Sequence, residues 1–168
     1  MKKKSFAAMR CSLARSLDVM GDWWTPLIVR DVFLGVRRFD DLAVNLGISR
    51  NLLTRRLTAL IRRGILKRQR YQSRPARYEY QLDEAGRDLV PALLALTAWG
   101  DRWVAPPEGP PMRFHHRPCG HVVEAAVTCP DCGAPLDADE VAALPGPGGA
   151  KAPGTMVLAD LLSGRPST

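Results

Sequence analysis

Apolar side chains recur at helical spacing through the first hundred residues of the chain. Leu13, Leu17 and Met20 follow an i, i+4, i+7 pattern, which predicts an amphipathic helix. The stretch WWTPLIVRDVFLG at residues 23–35 predicts a second helix, with its proline in the first turn and a glycine at its end. FDDLAVNLG at residues 39–47 predicts a third, short helix, because acidic residues begin it and a glycine follows it.

A fourth helix is predicted at SRNLLTRRLTALIRRG, residues 49–64, directly after a short turn. Ser49 is suited to cap its N-terminus, and two short helices joined by a glycine-containing turn are typical of a helix-turn-helix motif. At about 100° per residue this helix has two opposite faces. The apolar face, which we expect to be buried, consists of Leu53, Leu57, Leu60 and Ile61. The opposite face carries Asn51, Arg55, Thr58 and Arg62.

Two strand-like runs follow the fourth helix. ILKRQRYQ at residues 65–72 and ARYEYQL at residues 76–82 are rich in tyrosine and apolar residues, and SRP separates them. A hairpin in this position predicts the wing of a winged helix-turn-helix domain. Residues 37–77 hold 12 Lys and Arg against only Asp40 and Asp41, and Glu79 follows just after them, so the motif and its wing are strongly basic.

This basic surface predicts binding to DNA. A major groove is wide enough for one helix, in which Arg can pair with guanine and Asn with adenine. A wing can lie along the phosphate backbone or insert an arginine such as Arg74 into a minor groove. The candidate DNA contacts are Ser49, Arg50, Asn51, Thr54, Arg55, Thr58 and Arg62 in the helix and Lys67, Arg68, Arg70, Arg74 and Arg77 in the hairpin. The alternative is a solvated basic surface that serves solubility alone.

Helical spacing resumes at DEAGRDLVPALLALTAWGDRWV, residues 83–104. Its apolar positions are Leu89, Leu93, Leu96, Trp99 and Trp103. A helix this apolar exceeds what a small winged domain needs inside, so we expect it to pack with the N-terminal helix across the two-fold axis of a homodimer. The alternative is a helix in the core of a single chain. An interface lined by Trp23, Trp24, Trp99 and Trp103 would also be a natural place for a small-molecule effector.

The charge of the chain is unevenly divided. The formal net charge is +7, but residues 1–104 carry an excess of ten positive charges and residues 105–168 an excess of three negative charges. We therefore expect the DNA-binding surface in the first part. No apolar run reaches the ~18 residues that a membrane span requires. Charged residues also interrupt the N-terminus before a signal core, so the sequence predicts a soluble, cytoplasmic protein.

Two segments rich in proline and glycine divide the chain. APPEGPP at residues 105–111 and PGPGGAKAPG at residues 145–154 cannot continue a helix. The predicted fold is mainly α with a β-hairpin wing: a winged helix-turn-helix domain plus a small zinc-ribbon-like C-terminal module. We expect DNA binding and dimerisation at residues 1–104, a proline-rich linker at 105–112, the ribbon-like module at 113–138, and a flexible tail with short helices at 139–168.

HRPCGHVVEAAVTCPDCG, residues 116–133, contains two pairs of candidate metal ligands. His116 and Cys119 form one pair, Cys129 and Cys132 form the other, and a glycine follows each pair. The similarity of HRPCG to CPDCG favours His116 as the fourth ligand, with His121 as the alternative. Three thiolates and one imidazole suit Zn²⁺ in a closed, structural site. The alternatives are a sensing role for the site, or buried cysteines without a metal.

Together these stretches resemble the HxlR-type family of bacterial winged-helix transcriptional regulators, which is related to the MarR-type repressors. The resemblance covers residues 11–104 and rests on CSLARSLDVMGDWWTPLIVRDVFLGVRRFDDL, GISRNLLTRRLTALIRRGIL and YEYQLDEAGRDLVPALLALTAWGDRWV. It implies a homodimer with a recognition helix at residues 49–63 and a wing at residues 66–82. The family includes redox and electrophile sensors with an N-terminal cysteine, which makes Cys11 a candidate redox sensor. The alternative for Cys11 is a small buried hydrophobic residue.

The sequence therefore predicts a sequence-specific, dimeric, DNA-binding transcriptional regulator whose partner is a double-stranded operator. Its effector would be a small molecule or an oxidant. An alternative is an interaction module, in which the ribbon docks a protein or RNA and the basic domain adds non-specific nucleic-acid affinity. An enzyme is not expected, because the sequence pairs no nucleophile with a base and contains no phosphate-binding glycine loop.

Overall fold

The computed structural model describes residues 5–21 and 23–163. The parts of the predicted domains that fall on residues 1–4, 22 and 164–168 lie outside the described residues. The chain divides into two compact units. The larger unit comprises residues 24–135, and the second comprises the two ends of the chain, up to residue 23 and from residue 136 onwards. The predicted boundaries near residues 104, 112 and 138 stay predictions.

The described elements follow the predicted order of helices, hairpin and helix. In chain order they are α1 (Ser12–Met20), α2 (Trp24–Phe33), α3 (Phe39–Leu46), α4 (Arg50–Arg62), β1 (Leu66–Gln72), β2 (Arg77–Leu82), α5 (Glu84–Trp103), β3 (Phe114–His116), β4 (His121–Val123) and α6 (Met156–Leu162). β1 pairs with β2 and β3 pairs with β4, both antiparallel. The helix-turn-helix and its wing are therefore present, whereas a zinc ribbon at residues 113–138 stays a prediction.

The core of the larger unit lies between α2, α3, α4 and the start of β1. Its buried apolar side chains are Ile28, Val29, Val32, Leu42, Ile48, Leu53, Leu57, Leu60, Ile65 and Leu66. The expectation that Ile61 would be buried with the leucines of α4 is wrong, because Ile61 is 37% exposed. At about 100° per residue it lies roughly 80° around the helix from Leu53, at the edge of the apolar face.

A buried carboxylate joins α2 to α3. Asp31 is only 2% exposed, and its Oδ1 accepts hydrogen bonds from Nε and Nη2 of Arg30 at 2.9 and 2.6 Å. Its Oδ2 accepts a hydrogen bond from Nδ2 of Asn45 at 2.7 Å. A buried charge is strongly unfavourable unless it is paired and hydrogen-bonded. These bonds therefore fix α3 against α2 at one defined position.

α5 begins directly after the wing and crosses the loop between α4 and β1. The backbone N–H of Asp83 donates to the carbonyl of Ile65 at 2.9 Å, and Gly86 in the first turn is buried. Leu89 and Leu93 pack against the core. Pro91 lies inside the helix without ending it. The first half of α5 thus belongs to the core of the winged domain.

Candidate nucleic-acid interface

α4 is held at its start and along its inner face. The Ser49 side chain accepts a hydrogen bond from the backbone N–H of Leu52 at 3.4 Å, so the predicted N-cap is confirmed. Leu53, Leu57 and Leu60 are buried in the core. Together these contacts fix the rotation of α4 about its axis, so that its outer face points to solvent.

The outer face of α4 carries the predicted base-contacting side chains. The exposed residues are Asn51, Thr54, Arg55, Thr58 and Arg62. The Thr54 hydroxyl donates to the carbonyl of Arg50 at 2.9 Å, which leaves its oxygen able to accept a further hydrogen bond. Guanidinium and amide groups match the acceptors and donors that base pairs display in a major groove. The geometry of α4 therefore suits recognition of duplex DNA.

Arg50, in the first turn of α4, is tied to α3. It forms an exposed ion pair with Asp40, and its guanidinium carbon lies 4.8 Å from the ring centroid of Phe39. An exposed ion pair contributes only ~0–1 kcal/mol. A phosphate group can therefore compete with Asp40 for this arginine.

The basic side chains of the wing are exposed along both strands and the turn. They are Lys67, Arg68, Arg70, Arg74 and Arg77. The guanidinium carbon of Arg68 lies 4.1 Å from the ring centroid of Tyr78, an arrangement that orients the cation along the hairpin. Burial raises the pKa of Tyr80 above its ordinary value, while the Arg68 guanidinium lowers it. Burial is the larger of the two effects, so the net change in the pKa is upward.

Arg70 differs from the other basic residues of the wing. Its Nη2 donates to the carbonyl of Ser73 at 2.6 Å, and its Nε donates to the carbonyl of Gln72 at 3.2 Å. The strand register shifts between Arg70 and Gln72, at the same place. In this structure Arg70 therefore closes the turn of the wing, a role that the sequence pattern did not predict.

Two further basic residues, Arg37 and Arg38, were not among the predicted site residues. The carbonyl of Arg37 accepts a hydrogen bond from the Tyr80 N–H at 2.8 Å, and Arg38 forms a β-bridge with Glu79. The Arg38 guanidinium carbon lies 4.9 Å from the ring centroid of Tyr71. The segment before α3 is thus attached to the wing and adds two exposed cations beside it. In the sequence, the only indication of Arg37 and Arg38 was the positive charge of residues 37–77.

α5 leaves large apolar side chains exposed along its second half. Leu96, Trp99 and Trp103 are 54, 56 and 63% exposed. In the second unit, which comprises the two ends of the chain, Leu13 and Leu17 of α1 are exposed as well. Large apolar side chains grouped on a surface mark an interaction site.

The four tryptophans do not share one environment. Trp23 is exposed, like Trp99 and Trp103, whereas Trp24 packs against the core of the larger unit. An interface lined by all four tryptophans stays a prediction. Within residues 5–21 and 23–163, no helix combines the length and apolar character needed to cross a membrane.

A cavity of about 250 Å³ lies within the larger unit, between α2, α5 and residues 111–114. Its polar lining is Arg30, Thr97 and Asp101, and its apolar walls include Leu27, Leu94 and Phe114. Arg30 is the same residue that donates to the buried Asp31. The cavity therefore adjoins the hydrogen-bond network that positions α3.

The cysteine-containing segment of the larger unit forms two local pairs. His116 Nδ1 lies 3.2 Å from Cys119 Sγ. Backbone N–H groups of Cys132 and Asp131, together with the Cys132 side chain, hold the pKa of the Cys129 thiol below its ordinary value. Among the described residues, no three His, Cys, Asp or Glu side chains are close enough to one another to hold a metal ion. The structure thus brings together each predicted pair, but not all four predicted ligands.

Cys11 lies in the other unit, at the position that precedes the first turn of α1. It is a half-buried free cysteine that lines a cleft together with Arg10, Arg15 and several tail residues between 145 and 163. Its partial exposure differs from that of a fully buried core residue. A redox role for Cys11 stays a prediction.

Comparison with known proteins relates the chain to transcriptional regulators. The HxlR-like helix-turn-helix family matches residues 19–108, which contain α2 to α5 and the wing. An HTH-type transcriptional regulator of Mycobacterium tuberculosis is 46% identical over 137 residues, which are 82% of this chain and 87% of that protein. An HTH-type transcriptional regulator of Synechocystis is 36% identical over 95 residues, which are 56% of this chain and 70% of that protein.

Solved structures are similar to this chain as well. PA1607, a proposed transcription factor, is 35% identical with a TM-score of 0.73, and the match covers 83% of this chain and 98% of PA1607. A proposed transcription factor of Pseudomonas aeruginosa is 38% identical with a TM-score of 0.55, covering 84% and 96% of the two chains. The redox regulator HypR in its reduced form is 31% identical with a TM-score of 0.51, covering 55% and 92%.

Proposed function

Because this chain belongs to the HxlR-like helix-turn-helix family of DNA-binding transcriptional regulators, we propose that α4 enters the major groove of a specific operator. The observation that carries this proposal is the separation of the two faces of α4. Leucines hold the inner face in the core, and Asn51, Arg55 and Arg62 are exposed on the outer face. A fixed helix that presents such side chains can distinguish base pairs by their groove edges.

The wing contacts the DNA beside the major groove. Lys67 and Arg68 lie on one strand, Arg77 lies on the other, and Arg74 lies in the turn, all exposed to solvent. Contacts to phosphate groups position a protein on DNA without reading its sequence. Arg74, in the turn, would enter a minor groove, where narrow A-tract sequences attract arginine.

Two copies of the chain bind one operator. The exposed Leu96, Trp99 and Trp103 of α5 support this proposal, as does the exposed apolar face of α1. Burial of these side chains between two copies would remove apolar area from water at about 25 cal/mol per Å². A two-fold dimer would place the two recognition helices about 34 Å apart, one turn of the double helix.

A small-molecule effector would bind in the cavity between α2 and α5. An apolar cavity of about 150 Å³ is large enough for benzene in another protein, so about 250 Å³ accommodates one ring with a polar substituent. Arg30 can pair with a substituent that is anionic or accepts hydrogen bonds where that substituent lies on the side of the cavity away from Asp101. A ligand that engages Arg30 would withdraw it from Asp31, which also accepts a hydrogen bond from Asn45 of α3. Binding would thereby change the packing that positions the helix-turn-helix.

An oxidant acting on Cys11 is the second proposed effector. Its support is the partial exposure of the thiol and the similarity of the chain to HypR, which is a redox regulator. If the proposal is right, oxidant-induced release of DNA will disappear in Cys11→Ser. Unchanged release in that variant would remove Cys11 from the mechanism.

An enzymatic function is not proposed, since the family and its relatives are transcriptional regulators. A ribbon-centred interaction module with merely non-specific DNA affinity is not favoured either. Its basic winged domain would then be an accessory, whereas that domain is the part that the family matches.

The proposed function is tested by comparing affinity for DNA upstream of the protein's own and neighbouring genes with affinity for random duplex, across a salt series. We expect a preference of roughly 10³-fold or more for one site, as in specific protein–DNA complexes. Equal affinity for all duplexes, with the same salt dependence, would leave a non-specific basic protein. Deletion of residues 105–168 should preserve the preference.

A further inference from the structure

Two turns in the segment from 114 to 135 have the same backbone geometry. The first turn (His116 to Gly120) is closed by the Gly120 N–H, which donates to the carbonyl of His116 at 2.9 Å. The second turn (Cys129 to Gly133) is closed by the Gly133 N–H, which donates to the carbonyl of Cys129 at 2.9 Å. The φ angles of the two glycines are +75° and +74°, in the left-handed region that side chains disfavour. The near-repeat in the sequence is thus a repeat in structure.

Each turn brings two metal-binding side chains together. The 3.2 Å between His116 Nδ1 and Cys119 Sγ is close to the ~3.5 Å expected for N and S ligands of tetrahedral Zn²⁺ with bonds of about 2.0 and 2.3 Å. In the second turn, backbone N–H groups of Asp131 and Cys132 point at Cys129 Sγ, and the Cys132 side chain is its neighbour.

These side chains are not core residues. Cys119 and Cys132 are exposed, which excludes the alternative of buried cysteines that merely fill space. From residue 115 to residue 144 every side chain is exposed except Ala125 and the half-buried Cys129. The segment is held by the short β3–β4 pairing and one β-bridge between Thr128 and Pro135. A segment of this size without a core needs a disulfide, a metal or a partner to be stable.

We propose that the two turns are the halves of one Zn²⁺ site, with His116, Cys119, Cys129 and Cys132 as its four ligands. Because the pairs are not close enough to share a metal ion in this structure, metal binding must draw the turns together and so fold the segment around the ion. Four protein ligands leave no position for a reactive water, so the ion is structural. Three thiolates and a neutral imidazole give the site a net charge of −1.

The choice of His116 over His121 follows from the hairpin. The two histidines are directly paired across β3 and β4, so both lie on the same face of the ladder. His116 is the one whose ring nitrogen lies beside Cys119 Sγ. Comparing metal binding in the variants His116→Gln and His121→Gln therefore distinguishes the proposed ligand from the histidine that is paired with it across the hairpin.

The experiment measures metal bound to the full-length protein, first as zinc content after purification and then by titration with Co²⁺, whose visible spectrum reports tetrahedral thiolate ligation. We expect one metal per chain. Cys119→Ser and Cys132→Ser should weaken binding at least tenfold, as should His116→Gln. Cys11→Ser and His121→Gln are the matched controls and should bind as the unmodified chain does. Circular dichroism should show the helices intact in every variant.

Three results would overturn the proposal. Failure to bind stoichiometric Zn²⁺ or Co²⁺ would remove the site. One metal per two chains would mean that each copy supplies one turn, and the intramolecular site would be wrong. Loss of binding in His121→Gln with retention in His116→Gln would replace the assigned fourth ligand. None of these measurements depends on DNA binding, so the site and the proposed function fail or succeed separately.

Discussion

Gly86 in the first turn of α5 lies directly against the carbonyl oxygen of Ile65. A Cβ atom at residue 86 would be 2.1 Å from that oxygen and 3.3 Å from Cδ2 of Leu82. The obstacle is backbone, which cannot move aside as the end of a flexible side chain can. This contact sets how closely α5 approaches the loop between α4 and the wing.

We therefore expect Gly86→Ala to lower the free energy of unfolding by about 1–3 kcal/mol, the usual cost of overpacking. Gly100→Ala in the same helix is the matched control, since its Cβ would meet only Cγ2 of Val104 at 3.8 Å. That variant should gain up to about 1 kcal/mol from helix propensity. Urea denaturation of both variants measures the difference, and a stabilised Gly86→Ala would show that α5 does not approach Ile65 this closely.

The buried Asp31 gives a second stability prediction. Asn45→Ala removes the amide that donates to Oδ2 of Asp31 at 2.7 Å. Leaving a buried acceptor without that donor should cost about 1–3 kcal/mol. Asn51→Ala, the same substitution on the exposed face of α4, should stay within about 0.5 kcal/mol. Equal unfolding free energies for the two variants would mean that the Asp31–Asn45 bond does not stabilise the fold.

Arg55 and Lys67 are expected to contribute to DNA binding in different ways. Arg55→Ala should cost about 1–3 kcal/mol on the operator and relax base preference at one position in each half-site. Lys67→Ala should weaken operator and random duplex alike and reduce the salt slope by about one. Binding isotherms on both duplexes over a salt series check this. If Arg55→Ala weakened both duplexes equally, α4 would not be the element that reads the bases.

The exposed apolar side chains in the second half of α5 predict that a charged residue introduced among them will change the oligomeric state. Leu96→Glu would place a carboxylate in the proposed interface and should shift the chain from dimer to monomer in sedimentation experiments. Val44→Glu is the control, because Val44 is also an exposed apolar residue, at 83% against 54% for Leu96, but lies on α3. A dimer that persists in Leu96→Glu, or a monomer in Val44→Glu, would place the interface elsewhere.

The cavity predicts a ligand preference. Benzoate should raise the unfolding temperature more than benzyl alcohol does, because Arg30 can pair with its carboxylate. Leu94→Trp, which fills the cavity from α5, should abolish the benzoate effect. If benzoate had no effect, or the same effect on Leu94→Trp, the cavity would not be an effector site.

The winged fold was predictable because its signals are local. The apolar spacing of α2 to α4 repeats within each helix, and the Ser49 cap and the tyrosine-rich strands lie beside the elements that they define. The exposure of Asn51, Arg55, Thr58 and Arg62 on the outer face of α4 follows from this periodicity alone.

The contacts that assemble these elements were not predictable in the same way. Asn45 reaches Asp31 over 14 residues, and Gly86 meets Ile65 only once α5 has folded back over the loop. The spacing of apolar residues predicts which face of a helix is buried, but it does not predict which polar groups of two neighbouring helices will contact each other. The turn-closing role of Arg70 depends likewise on the register shift beside Gln72.

The two faces of α4 have a consequence for how such proteins diverge. The leucines that hold the helix in the core and the outer-face residues 51, 55, 58 and 62 share no position, and exposed substitutions away from special contacts usually change stability by no more than about 0.5 kcal/mol. After gene duplication, one copy can therefore acquire a new operator through residues 51, 55, 58 and 62 while its leucines keep the fold unchanged. Target choice can drift in this lineage without the protein first losing its architecture.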